Sequence, residues 1–137
     1  MSTLAEKIAI YFEAWHETTL EGCLAKLDRV FVPNVAYRDP MFTHRSTREL
    51  AERIQGSRQK YPAFRVWVSS QIDGYDASHR YGWMFTRDGS TTLEGLDILE
   101  LAPDGRIASL VSFFGSPVPR AESEKVMQLP RFAPSPA

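Results

Sequence analysis

This chain lacks most of the features that usually reveal a function at once. It has a single cysteine, Cys23, in 137 residues, so there is no internal disulfide framework. Its three histidines, His16, His44 and His79, show no metal-ligand spacing with one another or with Cys23, and no metal is expected. It has neither a Gly-rich phosphate loop nor a nucleophile elbow, and no cofactor is expected. No apolar run approaches the ~18 residues of a membrane span. The net charge is only −1, which gives no reason to expect nucleic acid or an anionic membrane as partner. Glu6 and Lys7 lie inside an amphipathic N-terminal pattern, unlike a secretory signal. Cys23 falls on the apolar side of an expected helix and reads as a buried, inert thiol. These absences together suit a cytoplasmic protein.

What is present suits one packed domain. Hydrophobic residues make up 43%, enough for one core at this length. Three helix starts carry the capping-box spacing: Thr3 with Glu6, Thr18 with Glu21, and Ser46 with Glu49. The first helix then puts Leu4, Ile8, Tyr11, Phe12 and Trp15 on one stripe. The second puts Leu20, Leu24, Leu27 and Phe31 on one stripe, with Pro33 as its stop. The third carries Leu50, Ile54 and Tyr61 before Pro62. Its basic residues Arg45, Arg48, Arg53, Arg58 and Lys60 read as a solvated face. His16 reads as a cation suited to the C-terminus of the first helix.

The rest of the chain is rich in strand signals. Residues 64–72 and 79–87 alternate, and Asp73-Gly74, Asp88-Gly89 and Asp104-Gly105 mark turns. The expected order is helix, helix, short strand, helix, then a four-strand antiparallel meander. Helices gathered on one face of a mostly antiparallel sheet define an α+β fold. Residues 1–117 form the expected domain. Residues 118–137 form a Pro-rich tail with a short helix expected at 121–129. Val126, Met127, Leu129 and Phe132 are expected to pack on the body or on a partner subunit.

Two aspartates interrupt apolar strands. Asp39 ends Val35-Ala36-Tyr37-Arg38-Asp39-Pro40, and Asp97 lies within the strand around Leu96 and Ile98. Burying a carboxylate is costly, so an inward acid persists when it is paired or used in chemistry. A two-residue loop at Asp104-Gly105 puts Asp97 opposite Ser112, Gly95 opposite Phe114 and Leu99 opposite Leu110. A three-residue loop at Asp88–Ser90 puts Asp97 opposite Tyr81 and Gly95 opposite Trp83. One face then holds Tyr81, Trp83, Phe85, Leu93, Gly95, Asp97, Leu99, Leu110, Ser112 and Phe114. The opposite face carries Leu96, Ile98, Val111 and Phe113 among polar residues, which suggests that a second copy of the chain covers it.

The element order, with Tyr11-Phe12-Glu13-Ala14-Trp15, Tyr37-Arg38-Asp39-Pro40, Gly95-Leu96-Asp97 and Gly105-Arg106-Ile107 leading to Phe113-Phe114-Gly115, resembles the nuclear transport factor 2-like superfamily over roughly residues 3–117. The resemblance implies a cystatin-like cone, with three helices and a curved sheet enclosing a pocket, often dimeric through the sheet. It also implies a homodimer holding a small apolar ligand or substrate. Trp15, Tyr37, Ile54, Tyr81, Trp83, Phe85, Leu99, Leu110, Ser112 and Phe114 are the expected pocket residues.

Within the superfamily the ketosteroid isomerases match best by position. Their base Asp precedes a Pro on the first strand, as Asp39 does. Their protonated Asp lies ahead of a Gly-Lys/Arg turn, as Asp97 does, and their oxyanion-hole Tyr is on the first helix, as Tyr11 is. That isomerase keeps a carboxylic acid neutral in an apolar site. The resemblance thus implies Asp39 as general base, with Tyr11 and protonated Asp97 as donors to an enolate oxygen. The epoxide hydrolases and polyketide cyclases of this fold use an Asp on the late strands, where this chain has Ser109 and Ser112. The scytalone dehydratase of this superfamily uses pocket histidines, and only His44 is a loose match. The residues themselves leave other readings open. Asp39 also fits a turn acid accepting local backbone bonds, Asp97 a buried structural acid, and Tyr11 a core tyrosine. A non-catalytic ligand-binding or scaffold domain therefore stands beside the isomerase-like or cyclase-like enzyme.

Overall fold

The computed structural model describes residues 2–117, and the expected tail helix and its packing residues lie outside them. Helix α1 spans Leu4–Ala14, α2 Leu20–Val30, and α3 Thr47–Lys60. The strands are β1 (Phe31–Arg38), β2 (Thr43–His44), β3 (Arg65–Val68), β4 (Asp73–Tyr75), β5 (Ser78–Thr86), β6 (Thr92–Leu101) and β7 (Ile107–Phe114). Three helices pack on one mixed, mostly antiparallel sheet, the α+β cone expected from the sequence.

The expected capping box of α1 is present, with Thr3 Oγ1 and the Glu6 carboxylate each accepting from the other's backbone N–H. The start of α2 differs by one residue. Thr19 rather than Thr18 is the cap, and its Oγ1 accepts from Gly22 N–H at 3.0 Å. Glu21 then serves only as an acid in the first turn, where the helix dipole favours it. In α3 the Ser46 hydroxyl accepts from Glu49 N–H, but the Glu49 carboxylate turns to Arg45 N–H.

The second helix ends three residues before Pro33. Phe31 leaves it with φ −111° and ψ 150° and opens β1. Its side chain is fully buried against Tyr11, and β1 pairs in parallel with β7 from Phe31↔Ile107. Helical spacing at Phe31 therefore gives way to sheet burial. Pro33, lacking a donor, falls where the β1–β7 register shifts between Phe31 and Ala36.

The sheet order is β2-β1-β7-β6-β5-β3, with β4 also on β5. The strand expected at 64–72 stops at Val68, because the Ser70 hydroxyl takes the ladder position on Gly82 N–H at 2.7 Å. The turn expected at Asp73-Gly74 lies instead at Asp76, with Asp73–Tyr75 paired to β5 as β4. The meander register is as expected. Asp97 faces Tyr81 on one side and Ser112 on the other, and Gly95 faces Trp83 and Phe114. Near the turn the pairing steps to Leu101↔Ile107 through an irregularity after Glu100. Gly95 has a steric role, since a Cβ there would collide with the Trp83 indole and the Phe113 carbonyl.

The inner face of the sheet meets the helices in a core that includes Ile8, Leu27, Leu50, Ile54, Leu99 and Leu110, all essentially unexposed. The outer face leaves Ile98 38% and Phe113 52% exposed. No helix among the described residues is long and apolar enough to cross a membrane.

Candidate active site

Tyr11 from α1, Tyr37 and Asp39 from the end of β1, Arg53 from α3, Asp97 from β6 and Ser112 from β7 line one cavity of about 770 Å³. Tyr37 and Asp39 share a strand face by their two-residue spacing. Asp97 and Ser112 are brought together by the cross-strand register.

Asp39 has two jobs at once. Its Oδ1 accepts from Met41 N–H at 2.8 Å and Phe42 N–H at 2.9 Å, while its own N–H donates to the Phe42 carbonyl. This closes the turn between β1 and β2 in the way an Asp side chain commonly does. Its Oδ2 accepts from the Tyr37 hydroxyl at 2.7 Å and forms an ion pair with Arg53 Nη1. Donors thus occupy about all four lone-pair positions of the carboxylate.

Arg53 corrects the sequence reading. It is not on a solvated face, for its side chain is only 12% exposed. Nη1 also donates to the Tyr37 hydroxyl at 3.1 Å. The guanidinium carbon lies 4.4 Å from the Phe42 ring centroid and 5.5 Å from that of Trp15. Its Nε is buried without a hydrogen-bond partner among the described residues. The α3 positions lining the cavity are Glu49, Glu52, Arg53, Gly56, Ser57 and Lys60, a helical stripe without apolar residues. Hydrophobic periodicity carried no sign of it, because a helix face turned to an open cavity need not be apolar.

Asp97 is only 3% exposed. Its Oδ2 accepts from the Tyr81 hydroxyl at 2.7 Å, and the Trp83 indole N–H donates to Ser112 Oγ at 3.2 Å beside it. Burial raises the Asp97 pKa from 3.8 to about 6, against the pull of the neighbouring Ser112, Tyr81 and Trp83 donors. Tyr11 is buried as well. Its pKa is pushed well above the usual range by burial first and by the Asp97 charge second. Tyr11 therefore stays protonated and can donate a hydrogen bond.

The remaining expected residues divide. Trp15, Tyr37, Trp83, Phe85, Ser112 and Phe114 line the cavity. Ile54, Tyr81, Leu99 and Leu110 do not; they are fully buried in the core behind its wall. Tyr81 acts from there through Asp97. Phe12, Phe42 and Phe64 are lining residues the sequence reading missed, and Phe42 has no strand or helix period to signal it.

His44 also reaches the wall, stacked on Phe42 at 5.7 Å, and burial lowers its pKa. His16 is not the cation expected at the end of α1. Its Nδ1 lies 2.9 Å from the Phe12 carbonyl and its Nε2 accepts from Val66 N–H, so the ring ties α1 to β3 in its neutral form. Burial lowers its pKa accordingly.

A candidate isomerase of the SnoaL-like family from Agrobacterium tumefaciens str. C58 superposes with a TM-score of 0.74 at 25% identity, over 82% of this chain and 97% of that one. A protein of unknown function with a cystatin-like fold from Methylobium petroleophilum PM1 gives 0.71 at 18% identity, over 94% and 82%. The chain has the nuclear transport factor 2-like fold. A candidate SnoaL-like polyketide cyclase from Jannaschia sp. CCS1 shares this nuclear transport factor 2-like architecture, at 0.65 and 14% identity over 80% and 83%. No protein-family model matches the chain, and no curated protein matches it.

Proposed function

We propose that the chain binds an apolar, carbonyl-bearing small molecule and moves a proton at the carbon beside that carbonyl, without a cofactor. The observation that carries this reading is a buried carboxyl with a pKa of about 6 lining the same cavity as a protonated tyrosine. A general base works best with a pKa near the working pH, and a developing enolate needs a positioned donor.

The hydrogen bonding favours a different division of labour from that of the ketosteroid isomerases. Asp39 has donors on both oxygens and an arginine beside it, so its lone pairs are already engaged within the protein. Asp97 is the better group to take the proton and return it. Tyr11 then donates to the oxyanion, and the Asp39–Arg53 pair lines the same cavity.

The engagement of Asp39 also favours a second reading, in which the cavity only carries an apolar ligand. A panel of phenols and naphthols, read by quenching of Trp15 and Trp83, separates the two when combined with deuterium exchange into a bound ketone. Phenolates mimic an enolate. The enzyme reading expects binding that weakens about ten-fold or more in Tyr11→Phe, the scale of one hydrogen bond to a charged group. It also expects exchange that is lost in Asp97→Asn. Binding without exchange in the wild type would leave a carrier. For the whole assembly we propose a homodimer joined through the outer sheet face, where Leu96, Ile98, Val111 and Phe113 lie side by side.

A further inference from the structure

Two cations at one end of the cavity have no part in the chemistry proposed above. Lys60 closes α3 and Arg87 follows β5, and both line the cavity. They converge on one ring from separate elements. Lys60 Nζ lies 5.5 Å from the Tyr61 centroid, and Arg87 Cζ lies 5.3 Å from it. Tyr61 lines the cavity too. Neither cation has an ion-pair partner among the described residues, although Lys26, Arg48, Arg80 and Arg106 do, besides Arg53.

A favourable helix-dipole position accounts for Lys60 at the end of α3. It does not account for Arg87, which comes from the sheet to the same ring. The nearest acid in sequence, Asp88, feels the Arg87 charge but commits its Oδ1 to its own turn, accepting from Ser90 N–H, the Ser90 hydroxyl and Thr91 N–H. The acids of the α3 stripe, Glu49 and Glu52, lie toward its other end. Eight residues, about 12 Å of helix, separate Glu52 from Lys60. The two cations lower the Tyr61 hydroxyl pKa, through the Arg87 hydrogen bond first, and an anionic ligand would meet the same field. The cavity is thus graded. It runs from the buried acid and tyrosine at Asp97 and Tyr11, past aromatic walls at Phe64 and Phe85, to a positive rim.

We infer that the rim formed by Lys60, Tyr61 and Arg87 receives an anionic group, a carboxylate or a phosphate, at the end of the substrate remote from its reactive carbonyl. This deepens the proposed function and rests on its small-molecule cavity, but not on proton transfer. The substrate class becomes an apolar or aromatic body with a carbonyl at one end and an anion at the other. Fixing the anion at the rim would set which end reaches Asp97, since the reverse orientation puts an anion against a buried carboxyl.

The test uses 6-phenylhexanoate, its methyl ester and 6-phenylhexyl phosphate as probes, with binding read from tryptophan fluorescence. Both anions are expected to bind about ten-fold more tightly than the ester at low ionic strength, and this preference should shrink as salt screens an exposed site. In Lys60→Gln/Arg87→Gln the ratio of anion to ester affinity should fall toward one. Both residues are exposed, so the double variant is expected to fold. Phosphate well ahead of carboxylate supports the rim and identifies a phosphate ester as its natural group, while near-equal anions support it and identify a carboxylate. An ester bound as tightly as the anions, or a preference that survives the double substitution, overturns the rim proposal and leaves the cavity intact. Failure of all three probes to bind the wild type overturns the rim together with the small-molecule reading beneath it.

Discussion

Burial holds a proton on Asp97 to about pH 6, while the same side chain in the unfolded chain loses it near 3.8. Between those values the unfolded state binds fewer protons than the folded one, so stability falls as pH rises through the window. The contribution is fully present below about pH 4 and gone well above pH 6. The full loss is about 3 kcal/mol at this shift. Asp97→Asn should remove most of that decline, which urea unfolding at pH 4, 6 and 8 would measure on both proteins. A wild type and variant with parallel profiles would mean that Asp97 is ionised already at pH 4. The register that joins Asp97 to Ser112 was readable from spacing and turn signals, whereas Tyr11 and Asp39 were assigned to the site only by the family resemblance. Arg53 was readable from neither, because the apolar stripe of Leu50 and Ile54 marks only the core-facing side of its helix.

Helix α3 is the element that completes the site. Its Leu50, Ala51 and Ile54 are buried in the core, and the adjoining stripe carries Arg53 across to Asp39 at the end of β1. Removing one member of a buried ion pair strands the other charge, at a cost of about 3–5 kcal/mol. Arg53→Met should destabilise the chain on that order, and adding Asp39→Asn should recover part of the loss in the same urea titration. Equal and additive losses would mean that the two side chains contribute independently. The turn bonds of Asp39 to Met41 and Phe42 set a limit to the recovery, since asparagine retains only one acceptor oxygen.

The whole molecule keeps one sheet face for the helices and leaves the other with Ile98 and Phe113 open. Cross-strand pairs Leu96↔Phe113 and Ile98↔Val111 make that exposure contiguous, and contiguous apolar exposure of this kind marks an interface. The proposed dimer predicts that Phe113→Glu shifts the chain from twice its 15.5 kDa to the monomer mass in light scattering. A wild type already monomeric at tens of micromolar would remove the dimer. The cavity does not depend on this interface, because its wall comes from the inner face.

Local physics already specified much of this protein. Capping residues began α1 and α3, alternation and Asp-Gly turns paired β5, β6 and β7, and the two-residue period put Asp97 on the inner face. These follow from interactions between near neighbours in the chain or from one hairpin at a time. The rest required distant segments to meet. The parallel pairing of β1 with β7 drew Phe31 out of a helical stripe into a strand. The approach of α3 to β1 turned Arg53 from a surface cation into the partner of Asp39. Packing density separated Ile54, Leu99 and Leu110, which fill the core, from Trp83 and Phe114, which face the cavity. Alternation assigns a residue to a face, but whether that face meets a side chain or open space depends on how the helices seat across it.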